Sequence, residues 1–185
     1  MAMPLTHHRF TVDEFQRMAQ TGILDEDARV ELLDGQIVEM SPIGPRHAGC
    51  VRLLIRLLSR AADRVMIDVQ NPVVLGTYAA PQPDLAILRL RADDYAHAHP
   101  GPDDILLVIE VADTSVATDR ERKLPLYATA GIPEAWLVNL PEDVIEIHRE
   151  PRNGIYTVRQ IIRRGETLTP LRLPELTLSA DDILA

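Results

Sequence analysis

A chain of 185 residues with 46% hydrophobic content is long enough for one domain that buries roughly 70% of its unfolded surface and too short for two ordinary ones, so a single domain over 1–185 is expected. Its 28 acidic residues outnumber 19 basic ones for a formal charge of -9, which excludes a surface that attracts polyanions from every side and confines any such contact to a local patch. The lone cysteine, Cys50, excludes an internal disulfide or a cysteine-rich zinc site, and the longest apolar stretch, Ile105 to Ala112, is broken by Glu110 and too short for a bilayer. With no signal-like apolar run near the start, the expectation is a soluble cytoplasmic protein with no membrane partner.

In chain order, Thr11-Val12-Asp13-Glu14 has capping-box spacing and predicts a short helix to about Gln20. Arg29 to Met40 predicts a hairpin around Asp34-Gly35, a dipeptide that tolerates the positive φ values of a tight turn. Ala48 to Arg64 predicts an amphipathic helix, with Val51, Leu54, Ile55 and Leu58 on one face and Arg52, Arg56 and Arg60 on another. Short strands are expected at Val65 to Val69, Val73 to Leu75 and Asp84 to Leu88, then a polar loop from Arg91 to Asp104. Ile105 to Val111 has the continuous apolar character of a central strand buried on both faces. A helix from Thr118 to Ala130 should end at Gly131 and be disturbed by Pro125, which has no amide donor. Glu134 to Asn139, Val144 to Arg149 and Tyr156 to Ile162 complete a mixed sheet with few helices, so the fold class is α+β.

Two carboxylates interrupt this apolar sequence. Asp84 opens one strand and Glu110 lies near the end of another, where an ionised group is costly unless paired or metal-bound. If the strands are antiparallel neighbours, the start of one lies beside the end of the other. Strand alternation then puts Glu110 on a face with Val108 and Leu106, and Asp84 with Ala86 and Leu88. Two hard oxygen ligands with a backbone carbonyl such as Val111 suit Mg²⁺, with Mn²⁺ as an alternative. The plainer alternative is that both simply mark strand ends reaching solvent.

Lys123 adds a third signal, for it is the only lysine among the 19 basic residues. A guanidinium serves where charge alone is needed, whereas an ammonium is a compact point charge that can also move a proton. From the helix that follows the Glu110 strand, Lys123 could orient or deprotonate a water, or stabilise charge on a phosphate. Its alternative is an ordinary surface pair with Asp119 at i, i+4.

Pro83-Asp84, Glu110 and Lys123 together resemble the PD-(D/E)XK nuclease superfamily. RVELLDGQIVEMSPIGPRH, the Gln82-Pro83-Asp84 tripeptide, VIEVADTS and DRERKLPLYATAGIPEAWLVNL resemble, in order, one bacterial family of restriction-endonuclease-like proteins formerly called a domain of unknown function. The resemblance implies a mixed β-sheet core flanked by helices, with an N-terminal hairpin and a β-rich C-terminal part. It also implies a divalent-metal site at Asp84 and Glu110 and phosphodiester hydrolysis as the activity. Glu31 and His47 match family positions near the same cleft, where the first would bind a second metal or its water and the second would contact phosphate. The superfamily's motif lysine would stand at position 112, which here is Ala112, and its role falls to Lys123. Asn139 stands where many members have Asp.

Two classes of function follow. The first is a Mg²⁺-dependent endonuclease acting on nucleic acid, with DNA the expected substrate and Arg46, Arg52, Arg56 and Arg60 the basic surface. A homodimer would suit symmetric cutting of a duplex. The second is a non-catalytic nucleic-acid-binding or protein-interaction module on a nuclease scaffold, which the charge of -9 favours.

Overall fold

The computed structural model describes residues 7–25 and 27–184. Helix α1 (Val12–Gln20) begins at Thr11 with the expected capping box: the Thr11 amide donates to Glu14 Oε2 at 2.8 Å and the Glu14 amide to Thr11 Oγ1 at 3.2 Å. Strands β1 (Val30–Leu33) and β2 (Gln36–Glu39) form an antiparallel hairpin whose turn residues Asp34 and Gly35 have φ of 51° and 77°. That pair of positive angles matches the twist of the strands they join. Helix α2 (Pro45–Leu58) begins three residues before the expected Ala48 and gives way at Ser59–Ala61 to a 3-10 turn instead of running to Arg64; it buries Cys50, Val51, Leu54, Leu57 and Leu58 and leaves Arg52 and Arg56 exposed, as its periodicity predicts.

The centre is a six-stranded sheet in the order β3 (Val65–Val69), β4 (Leu85–Arg89), β5 (Ile105–Ala112), β6 (Glu134–Asn139), β7 (Val144–Arg152) and β8 (Ile155–Ile162). Every neighbouring pair is antiparallel except β5 and β6, which are parallel and joined by the helical segment 116–129. A parallel pair needs such a crossover because a tight turn reverses the chain. All eight residues of β5 are buried, which accounts for its unbroken apolar run. One face of the sheet packs Ile87, Ile109 and Trp136 with α2; the other packs Ala86, Val108 and Leu137 with Leu124, Tyr127 and Ile132 of the crossover and its exit. Short strands β9 (Thr167–Leu168) and β10 (Leu178–Ser179) pair with each other near the C-terminal end. The α+β class and the helix-flanked mixed sheet are thus as expected, and none of the helices among the described residues is long and apolar enough to cross a membrane.

Two expectations about the strands fail. Val73 to Leu75 is not a strand. Its amides at Val73 and Leu75 donate to the Pro81 and Ala79 carbonyls, closing a local loop between Pro72 and the Pro81-Gln82-Pro83 run, whose prolines supply no ladder donors. Leu106 does not share the face of Glu110. The β4–β5 pairing passes from Ile87↔Leu107 to Leu88↔Ile105, a bulge that leaves Leu106 without a partner and turns it toward the α2 side.

The crossover shows what Pro125 does. Helix α3 (Val116–Thr118) runs into a π turn over Asp119–Lys123 and then into α4 (Leu124–Thr129). In a regular helix the Glu121 carbonyl would receive the amide of residue 125, which proline lacks, and the ring would crowd that carbonyl. The turn widens instead, and the Leu124 amide reaches back five residues to the Asp119 carbonyl. Asp119 and Lys123 are both buried as a result.

Candidate active site

The register Leu85↔Ile109 puts Asp84, just before β4, across from Glu110 on β5. Both line one cleft of about 180 Å³, with Glu31 of the hairpin, His47 of α2, and Asp119 and Lys123 of the crossover. The five candidate side chains Asp84, Glu110, Lys123, Glu31 and His47 therefore come together from four separate parts of the fold, with Val111 beside them.

Asp84 is held by three donors or partners: the Val111 amide at 2.8 Å, Gln70 Nε2 at 3.1 Å and His47 Nε2 at 3.0 Å. Burial opposes its charge, but the His47 contact and these hydrogen bonds outweigh it and keep the carboxyl below its ordinary range. Reciprocally, the bond to Asp84 raises His47. His47 Nδ1 is buried and has no hydrogen-bond partner among the described residues.

Lys123 does not face solvent. Its side chain is only 6% exposed, and Nζ lies 3.1 Å from Glu31 Oε2, 3.3 Å from Glu110 Oε1, 3.4 Å from the Gln82 carbonyl and 4.0 Å from Asp119 Oδ1. The surface pair with Asp119 is thus the longest of its contacts. Burial works against the ammonium, yet Glu110, Glu31 and Asp119 together hold it protonated above the ordinary lysine range. Lys123 in this setting is a fixed positive charge and not a ready base. Glu110 has the opposite balance: burial drives its carboxyl well above the usual range, Lys123 pulls it back, and Asp119, Asp84 and Glu31 push it further up. Burial raises Asp119 as well, though Ser115 Oγ donates to it at 2.6 Å.

The oxygen donors of Asp84, Glu110 and the Val111 backbone are of the hard type that Mg²⁺ or Mn²⁺ takes, so the donor chemistry fits. Among the described residues no three His, Cys, Asp or Glu side chains converge in metal-ligand geometry. The meeting point of Glu31, Glu110 and Asp119 is filled by the Lys123 ammonium.

Sequence reasoning missed several groups here. Gln70 gave no signal, since only the fold brings it to Asp84. Tyr127, whose hydroxyl donates to Glu110 Oε1 at 2.5 Å, stands one helical turn beyond Lys123, a spacing that could have found it. Asp119 shows in the sequence only as the i, i+4 neighbour of Lys123. Arg46 is exposed, as expected of the basic surface, and also donates to the Leu140 carbonyl at 2.7 Å and lies 3.8 Å from Asp113.

Comparison with known proteins adds the following. A family model described as "Putative restriction endonuclease", Uma2, matches residues 12–181. None of the curated proteins matches the chain. Among solved structures, the crystal structure of a putative nuclease belonging to DUF820 from Anabaena variabilis ATCC 29413 is similar at a TM-score of 0.69 and 16% identity. That similarity covers 95% of this chain and 97% of that one, and at this identity it speaks to the fold.

Proposed function

The chain belongs to the Uma2 family, and from that premise we propose that it is a divalent-metal-dependent endonuclease that hydrolyses phosphodiester bonds in DNA. One observation carries the reading: the chain's only lysine is buried against Glu31 and Glu110 in the same cleft that holds Asp84 and His47. A scaffold kept only for binding a polyanion gains nothing from gathering four carboxylates there. The name of the Anabaena protein, a putative nuclease, agrees with this reading.

Asp84, Glu110 and the Val111 carbonyl would hold Mg²⁺ or Mn²⁺. Such an ion supplies Lewis-acid polarisation of a phosphoryl oxygen and a lowered pKa for water. Glu31 places Lys123: it accepts from the Gln82 amide at 3.1 Å as well as from Nζ, tying the hairpin to the strand end. Lys123, held protonated, stabilises the negative charge that builds on the phosphate during attack. His47 sits against Asp84 through Nε2 and lines the cleft, which supports a role in holding Asp84 in place. Arg52 and Arg56, exposed on α2, carry backbone contacts whose strength falls steeply with salt. A two-fold homodimer would present two such clefts to the two strands of a duplex.

The charge of -9 favours the second reading, a nucleic-acid-binding or protein-interaction module without catalysis. Nicking of supercoiled DNA separates the two. Wild type should nick with Mg²⁺ or Mn²⁺ and not with EDTA, and Asp84→Ala should not nick at all. Wild type that binds DNA yet never cuts it with either ion establishes the binding module.

A further inference from the structure

We infer that Tyr127 is a positioning residue that fixes which oxygen of Glu110 faces the reaction cleft. The inference rests on the nuclease reading and deepens it at one residue.

Tyr127 is fully buried in the apolar layer formed by Val108, Ala112, Leu124, Ile132 and Leu137. Phenylalanine would fill that volume equally well, so the packing does not explain the hydroxyl. A buried hydroxyl must find a partner, and the one it has among the described residues is Glu110 Oε1, at 2.5 Å. Lys123 reaches Oε1 at 3.3 Å and Oε2 at 3.4 Å. Oε1 is therefore held twice and Oε2 once. The hydroxyl pins one oxygen to the crossover and leaves Oε2 as the freer one. Residues 123 and 127 come from successive turns of the same segment, so the π turn and α4 clamp the carboxylate as a unit. Hydrogen bonds that orient a ligating carboxylate in this way commonly change metal affinity or activity by about 10- to 100-fold when removed.

The chain supplies its own control. Tyr156 donates its hydroxyl to the Ile132 backbone carbonyl at 3.0 Å, where Tyr127 donates to the Glu110 carboxylate. Tyr127→Phe and Tyr156→Phe each delete one hydroxyl bond, so a merely structural role predicts similar outcomes. The experiment compares both variants for chemical denaturation in EDTA, Mn²⁺ affinity by calorimetry, and kcat and KM for plasmid nicking. Tyr127→Phe should weaken Mn²⁺ binding by ~10-fold and lower kcat by ~10-fold with KM nearly unchanged. Tyr156→Phe should leave all three near wild type. On a Glu110→Gln background, Tyr127→Phe should cause no further loss of Mn²⁺ affinity. Wild-type Mn²⁺ binding and kcat in Tyr127→Phe overturn the assignment, and so does a loss that persists in full without the Glu110 carboxylate. If wild type neither binds Mn²⁺ nor cuts, the nuclease reading itself fails. The Tyr127 contact is then tested by the Glu110 carboxylate stretch, taken as the infrared difference between wild type and Glu110→Gln: a shift in Tyr127→Phe supports the clamp, and an unchanged band overturns it.

Discussion

Two groups of buried carboxylates, one on strands β6 and β7 and one gathered at the cleft, are treated in opposite ways. On β7, Glu146 is fully buried and faces Arg120 at 2.5 Å, Arg159 at 3.0 Å and His148 at 3.3 Å. Burial opposes its charge, but His148, Arg120 and Arg159 outweigh it and bring its pKa to about 2. Glu134 on β6 is satisfied likewise by Arg149, the Trp136 indole and the Leu171 amide. At the cleft the ratio is reversed, for Glu31, Glu110 and Asp119 share the one ammonium of Lys123. Arginines saturate a carboxylate that is scaffold; a single lysine leaves three carboxylates short of positive charge beside an opening. On the proposed reading, that shortage is what a further cation would relieve.

The sharpest way to break the comparison is to remove the cation from each group. Lys123→Met should cut phosphodiester cleavage by ~10² or more and destabilise the metal-free protein by about 3 to 5 kcal/mol, since a buried pair loses one partner. Added Mn²⁺ should restore part of that stability in a denaturation experiment and none of the cleavage. Lys123→Arg should also cleave poorly, because a planar guanidinium does not fit where an ammonium meets three carboxylates within 4.0 Å.

Glu146→Gln should cost about 3 kcal/mol at neutral pH, with cleavage per folded molecule unchanged. Because the folded pKa of Glu146 lies below its unfolded value, its contribution is full above about pH 4.5 and is lost as pH falls toward 2. The substitution should flatten the acid limb of stability against pH. Glu110 should act in the other direction: its folded pKa is raised, so the neutral form favours the fold and stability falls as pH climbs above about 4.5. Glu110→Gln should remove that decline, measured by thermal melting across pH.

The smallest effects belong to the exposed arginines. Arg56→Ala should change stability by less than about 0.5 kcal/mol, as exposed substitutions usually do. If Arg56 meets a phosphate, the slope of log binding constant against log salt should shrink by about one in a titration series.

Local chemistry explains what the sequence disclosed. The Thr11 capping box, the Asp34-Gly35 turn and the buried run of β5 each depend on neighbouring residues, so each is legible in a short window. The juxtaposition of Asp84 and Glu110 was legible too, because antiparallel pairing of adjacent strands brings start to end. Lys123 stood out by its rarity, but Glu31 as its nearest carboxylate depends on how a separate hairpin docks, through the Leu32↔Ala80 bridge. The inward turn of Asp119 follows from the widened π turn ahead of Pro125, where sequence foretold a disturbance and not its direction. The bulge that moves Leu106 has no marker in the sequence, since both faces of β5 are apolar and alternation carries no signal there.

The most direct test of the central claim, that one carboxylate group is a metal-binding reaction centre and the other scaffold, is anomalous diffraction from crystals grown with Mn²⁺. A manganese peak within about 2.1 to 2.6 Å of oxygens from both Asp84 and Glu110, with none beside Glu146 or Glu134, is the predicted result. Manganese bound elsewhere on the protein, with the cleft empty and the Lys123 ammonium still seated between Glu31 and Glu110, would contradict it.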